Sequence, residues 1–218
     1  MKHGVYVREQ KTSVSTPVVA ESGVPFVVGT APVHSAESPA ALFTPVLCTD
    51  WEDAVKKLGY SDDWKTYTIC EVMYSHFKLF QRQPIIFCNV LDPSTNKEAV
   101  AGAEVTLSGK QAKLPFDAIL SSLVVKTASS SESPLVKDTD YAAYYSDGNL
   151  IVETIEDGAA KAATKLYISY DKIKTADIDD DDIVKGIEAI DLCMATVSTT
   201  PDLIIAPGWS HTSTVQAV

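Results

Sequence analysis

The chain has 218 residues, with 18 Lys and Arg against 29 Asp and Glu, and its formal net charge is −11. This acidity argues against a nucleic-acid or anionic membrane partner, because phosphate contacts need clustered Lys and Arg side chains. No stretch reaches the roughly 20 apolar residues that a membrane-spanning helix needs, and the N-terminus lacks the apolar region of a secretory signal. We therefore expect a protein without membrane insertion whose 45% hydrophobic residues are sufficient for a core.

The first 18 residues form a segment of their own. Residues 4–19 alternate weakly and are rich in β-branched side chains, among them Val5 and Val7, but they contain few large apolar groups. A strand of this kind exposes a row of backbone donors and acceptors unless another strand pairs with it. The sequence predicts an extended N-terminal arm over residues 1–18.

Apolar strands and helices alternate over the next part of the chain. The runs at residues 26–30 and 84–90 have the continuous hydrophobicity of buried strands, and residues 45–48 indicate a short third strand. Residues 31–45 contain three prolines and are expected to form a loop. This pattern is typical of a layered α/β unit.

Two helices are predicted between these strands. The first covers residues 51–58, with Thr49-Asp50 offering an N-cap and Gly59 as the stop signal. The second covers residues 67–81 and ends before Pro84. Its apolar face is expected to carry five side chains at helical spacing: Ile69, Val72, Met73, Phe77 and Phe80.

The pattern changes at about residue 98 and changes back at about residue 172. Between these points, short alternating stretches are separated by turn signals, and Asp147-Gly148 between two such stretches predicts a hairpin. We expect residues 98–172 to form an inserted β-sandwich or β-barrel-like domain, with residues 92–101 as a polar, turn-rich boundary.

The α/β pattern returns after residue 173. A helix is predicted at residues 182–194 and an apolar strand at 201–208, and the last six residues resemble the first turn of another helix. The helix is expected to bury Ile183, Ile187, Ile190 and Met194.

The predicted fold class is therefore α+β. A discontinuous α/β core of residues 19–97 and 173–218 is interrupted by the β insertion. Because three strands and an unfinished helix make a small sheet, we expect this core to be incomplete at its C-terminus and the sequence to be part of a longer chain.

Candidate chemical sites are few. The run Asp177 to Asp182 lacks the glycine and the terminal Glu of an EF-hand loop, so a helix N-terminus is the preferred interpretation and weak Ca²⁺ binding the alternative. Ser210 and His211 are adjacent, but the GxSxG pattern of a nucleophile turn is absent. The four cysteines show no CxxC spacing and are expected to be buried thiols; they are Cys48, Cys70, Cys88 and Cys193. No nucleotide-binding motif is present, and we predict no catalytic residue, cofactor or metal.

Several segments, taken in order, resemble contractile tail sheath proteins of phages and phage-like particles. They are residues 3–9, 23–32, 138–141, 147–150, 166–171 and 201–210. The resemblance implies a non-enzymatic virion tail protein that assembles in the bacterial cytoplasm. Its copies would stack as hexameric rings around a tail tube protein, and contraction would drive the tube through a target envelope. It also implies that the arm residues Val5, Tyr6, Val7, Arg8 and Glu9 link subunits by adding a strand to a neighbour.

Two other functions compete with this one. The inserted β domain could be a binding module for a cell-surface ligand if its tyrosines lay exposed on one face; the candidates are Tyr141, Tyr144, Tyr145, Tyr167 and Tyr170. A hydrolase using Ser210 or His211 is the third hypothesis, and fold analogy alone does not decide among the three.

Overall fold

The computed structural model of the protein describes residues 23–130 and 133–218. The main sheet has the strand order β10-β1-β3-β2. Its strands are β1 (Pro25–Gly29), β2 (Val46–Cys48), β3 (Ile85–Asn89) and β10 (Leu203–Ile205). Strand β1 is parallel to both β3 and β10, whereas β2 is antiparallel to β3, so the sheet is mixed. Every residue of β1 and β3 is buried, as their apolar sequences predicted.

Helices pack on both faces of this sheet. They are α1 (Trp51–Leu58), α2 (Thr68–Met73), α3 (Asp180–Glu188), α4 (Cys193–Thr196) and α5 (Ser213–Gln216). The predicted helix 51–58 is confirmed with both ends: the Asp50 carboxylate accepts a hydrogen bond from the Asp53 N–H at 2.8 Å, and Gly59 has a φ of 72°.

Two predicted apolar helix faces were wrong at their last residues, Phe80 and Met194, which are exposed. After α2 the chain winds as a π-helix over Tyr74–Phe80, and Phe80 is 68% exposed. After α3 a 3₁₀ turn over Ala189–Leu192 interrupts the helix, and Met194 is 64% exposed while Cys193 is buried. Each change of winding rotates the following side chains away from the positions that a continuous α-helix would give them.

Two small antiparallel sheets make up the middle of the chain, with strand orders β4-β9-β6 and β5-β8-β7. Their strands are β4 (Lys97–Thr106), β5 (Gln111–Pro115), β6 (Val124–Lys126), β7 (Tyr141–Ser146), β8 (Asn149–Thr154) and β9 (Lys165–Ile173). Both sheets contribute side chains to one hydrophobic cluster, separate from the cluster around the main sheet. The predicted hairpin is confirmed: Asp147 and Gly148 connect β7 to β8, both with positive φ.

Strand β5 was not predicted, and β4 begins at Lys97, within residues 92–101 that were expected to be a polar boundary. Strand β5 buries only Ala112 and Leu114 and ends in a proline, so its alternation is weak. Strand β4 begins inside the stretch expected to be a polar boundary. There, cross-strand ion pairs with β9 accommodate its charged residues, including Lys172–Glu98 at 2.7 Å and Lys97–Asp171 at 2.7 Å.

The two hydrophobic clusters meet at an aromatic junction. The ring of His34 lies 5.4 Å from that of Phe116 and 5.7 Å from that of Tyr145, centroid to centroid, and 6.0 Å from that of Tyr67. The Phe116 carbonyl can only accept a hydrogen bond, so the His34 Nε2, 3.0 Å away, must carry the proton. Burial lowers the pKa of His34 to about 4, so the junction holds a neutral histidine between the two parts of the molecule at neutral pH.

Candidate assembly surface

Strand β10 is an apolar strand at an open edge of the main sheet. Its neighbour β1 lies on one side, and no described strand pairs with the other. Leu203 is 57% exposed and Ile204 is 44% exposed, although the residues paired with them in β1 are buried. Leu203 and Ile204 point to opposite faces of the sheet, so apolar surface is open on both. An exposed apolar edge is a template for pairing with another strand.

The start of β10 is attached to the start of β1. The Asp202 carboxylate accepts a hydrogen bond from the Val24 N–H at 3.0 Å, and the Asp202 N–H donates to the Val24 carbonyl at 2.9 Å. Residues 1–22 join the described chain beside these contacts. The predicted linking residues Val5, Tyr6, Val7, Arg8 and Glu9 lie outside the described residues.

The acidic run caps a helix, as predicted. Asp179 is the N-cap of α3, and its carboxylate accepts from the N–H groups of Asp181 at 3.0 Å and Asp182 at 3.2 Å. The Asp182 carboxylate accepts in return from the Asp179 N–H at 3.4 Å, which completes a capping box. Within residues 23–130 and 133–218, no three His, Cys, Asp or Glu side chains are grouped so as to hold a metal ion.

The Ser210 and His211 pair shows no catalytic geometry. Both residues follow the turn after β10, where the Ser210 N–H donates to the Ala206 carbonyl at 3.0 Å. No hydrogen bond joins the two side chains in the described structure, and a nucleophile needs a base within hydrogen-bond reach. The hydrolase hypothesis therefore gains no support from this turn.

The four cysteines are buried and free, as predicted. Burial raises the pKa of Cys48, Cys70 and Cys88 to about 12, which keeps each thiol protonated at neutral pH. The thiolate is the nucleophile and the metal ligand, so these side chains act as small apolar groups.

The tyrosines of the middle region do not gather on one exposed face. Tyr141 and Tyr170 are buried, and the Tyr145 hydroxyl donates to the Ala118 carbonyl at 2.7 Å within the junction. Tyr144 and Tyr167 are more exposed, but they belong to different sheets. The hypothesis of a β-domain binding module required these tyrosines to lie exposed on one face, and they do not.

The fold and the open edge define a mixed α+β protein with a strand available for pairing. The chain is 29% identical over 182 residues to the tail sheath protein of Burkholderia phage BcepMu. This match covers 81% of the chain and 36% of the phage protein, so the chain spans about a third of that relative's length. The chain is homologous to tail sheath proteins, which confirms the resemblance predicted from its sequence.

The chain aligns with the structure of the sheath tail protein Lin1278 from Listeria innocua at a TM-score of 0.39 and 12% identity, covering 91% of this chain and 43% of that one. No protein-family model matches the chain. Among the helices of the described residues, none is both long and apolar enough to cross a bilayer.

Proposed function

We propose that the protein is a structural subunit of a contractile tail sheath. Copies of it would stack as hexameric rings around a tail tube protein, in the tail of a phage or a phage-like particle. Contraction of this lattice would drive the tube through a target cell envelope, and no catalysis by the chain is involved. The sequence match to a phage tail sheath protein carries the proposal, and the open apolar edge at β10 supports it.

The edge supports subunit linkage for a physical reason. Leu203 to Ile205 read as a strand buried on both faces, yet Leu203 and Ile204 remain exposed. Pairing with an added strand would satisfy the free backbone groups of β10 and cover both side chains. We propose that the arm residues Val5 to Glu9 provide such a strand to a neighbouring subunit.

We also propose that residues 98–172 are an insertion into the core domain. The two ends of this segment lie side by side, because Lys97 pairs with Ile173 and the Lys174 N–H donates to the Asn96 carbonyl at 2.9 Å. A segment with adjacent ends can be removed without stretching the remainder. Replacing residues 98–172 by a short linker should leave a protein that unfolds cooperatively in urea; loss of cooperative unfolding would contradict the insertion.

Electron microscopy tests the assembly directly. We expect the protein to form rings or tubes as its concentration rises, and a dispersed monomer at every concentration would contradict the proposal. Ile204→Lys places a charge on the β10 edge and should abolish these assemblies while the protein remains folded. Val136→Lys is the matched control, because Val136 is 58% exposed but lies in the middle region, and it should leave assembly unchanged.

A further inference from the structure

The chain leaves β1 and β10 in different directions. After β1 it runs towards β2 and β3, and after β10 it enters α5, which packs against α3. Helices α2 and α3 lie on opposite faces of the sheet, since Gly29 faces Thr68 of α2 while the adjacent Val28 faces Gly186 of α3. The carboxyl ends of β1 and β10 therefore flank a point where the connections diverge. In open α/β sheets, such a point is where ligands bind.

A cavity of about 280 Å³ lies at this point. Its floor is built from the buried residues Thr30 and Thr68, which bond to each other: the Thr30 N–H donates to the Thr68 hydroxyl at 3.2 Å, and the Thr68 N–H donates to the Thr30 hydroxyl at 3.0 Å. The Thr30 hydroxyl also donates to the Thr66 carbonyl at 2.7 Å. These reciprocal bonds connect the end of β1 to the start of α2, so the floor is set by the fold itself.

Two tryptophans line the cavity. Trp64 is 37% exposed and is held in place by its Nε1–H, which donates to the Tyr60 hydroxyl at 3.3 Å, and by the Tyr74 ring at 5.6 Å. Trp209 lines the cavity from the turn after β10. The lining thus brings aromatic side chains from two distant parts of the chain beside several polar groups, and aromatic side chains with well-placed polar groups occur in small-molecule sites.

Several polar groups around the cavity have no partner among the described residues. They are the hydroxyls of Thr66 and Thr175, the Nε1–H of Trp209, the Lys65 ammonium group and the Glu71 carboxylate. Together they offer donors and acceptors of both kinds, with one positive and one negative charge. Lys65 and Glu71 carry opposite charges, so the charged groups of the lining balance and a neutral ligand needs no counter-charge there.

We infer that this cavity binds a neutral sugar ring. The C–H faces of a pyranose pack against indole rings, and its hydroxyls both donate and accept hydrogen bonds, which matches the unpartnered groups. The volume of about 280 Å³ lies just below the roughly 300–1,000 Å³ range of drug-sized ligand sites, so the cavity has room for one ring. The inference does not rest on sheath assembly, since the lining residues lie beyond the carboxyl ends of β1 and β10 and do not include the exposed edge residues Leu203 and Ile204.

The test is a titration of the protein with glucose and with N-acetylglucosamine, followed by the indole N–H signals in nuclear magnetic resonance spectra. The chain has three tryptophans, and only Trp51 lies outside the cavity, so it is an internal reference. We expect saturable shifts at Trp64 and Trp209 for at least one sugar, with millimolar affinity, or about −4 kcal/mol. Trp51 should not move.

Two variants sharpen the result. Trp209→Ala should abolish the shift at Trp64, and Thr175→Val, which keeps the shape but removes a hydroxyl, should weaken binding about tenfold. Thr127→Val makes the same change in an exposed residue after β6 and should leave binding unchanged. Absence of saturable shifts with both sugars, equal shifts at all three indoles, or tighter binding of the zwitterion glycine betaine would each overturn the inference.

Discussion

The two edges of the main sheet are treated in opposite ways. At β2, helix α1 packs against the strand and the Lys57 ammonium group donates to the Leu47 carbonyl at 3.0 Å, so the edge is covered by its own chain. At β10, Leu203 and Ile204 are exposed and no described residue pairs with the outer side. A sheet normally protects its edges from pairing with other molecules. The β2 edge is therefore protected by its own chain and the β10 edge is not. The sheath proposal needs a contact between subunits at β10.

The largest expected effect compares β10 with the strand beside it. Phe26 and Ile204 are partners in the β1–β10 register, but Phe26 is fully buried. Phe26→Ala should lower the free energy of unfolding by about 3–5 kcal/mol, because it leaves a cavity in the core. Ile204→Ala should cost less than about 1 kcal/mol in dilute protein, because half of that side chain is already in water. Urea unfolding of both variants measures this; similar losses would show that β10 is as well packed as β1.

The second effect is a loss of folding stability at acid pH. It arises at the aromatic junction and therefore does not distinguish the two edges of the sheet. Burial lowers the pKa of His34 to about 4, against 6.5 for an ordinary histidine, and the bond to the Phe116 carbonyl opposes this shift only in part. Although the residue is only half-buried, its Nδ1 is buried without a partner. The titratable groups whose rings face His34 are Tyr67 and Tyr145, and burial raises the pKa of each.

The sign follows from the unfolded state. Below pH 6.5 the unfolded chain takes up a proton on His34 that the folded protein does not, so stability falls until about pH 4 and then levels off. Between pH 7 and pH 4.5 the loss should be about 2 kcal/mol. His34→Gln should remove this part of the pH dependence, whereas His211→Gln, at an exposed histidine, should keep it. Identical pH profiles for the wild type and His34→Gln would contradict the neutral junction.

The smallest effect concerns the covered edge. Lys57 also forms an ion pair with Asp53 at 2.8 Å, and both side chains are about one-third exposed. Lys57→Met keeps the length of the side chain but removes its donor, so the Leu47 carbonyl loses a partner. We expect a cost of about 1 kcal/mol in thermal or urea unfolding. Lys56→Met is the matched control, since among the described residues the Lys56 ammonium group pairs with the exposed Glu37 alone. Equal effects of the two variants would mean that the β2 edge gains nothing from Lys57.

The sequence predicted where helices and strands begin and end better than it predicted which side chains are buried and which strands lie side by side. Asp50 and Gly59 set the ends of α1 because capping acts within one turn of the helix. Phe80 and Met194 were misplaced because the winding of the chain before them depends on tertiary packing, which hydrophobic spacing does not contain. The apolar run at residues 201–208 predicted a strand, but its place at an open edge depends on which strands lie beside it. The cavity between Trp64 and Trp209 was missed for the same reason, since its walls come from distant parts of the chain.

Hydrogen exchange measured at increasing protein concentration tests most directly whether β10 is the edge that pairs on assembly. We expect the outward-facing amides of Leu203 and Ile205 to exchange rapidly in dilute protein and to become protected as assemblies form. The Asp202 N–H donates to the Val24 carbonyl, and N–H groups alternate in direction along a strand, so the Ile204 N–H faces β1 and should stay protected throughout. The amides of Val46 to Cys48 in β2 should keep the same protection throughout. Assembly with unchanged exchange at β10, or with new protection at β2 instead, would contradict it.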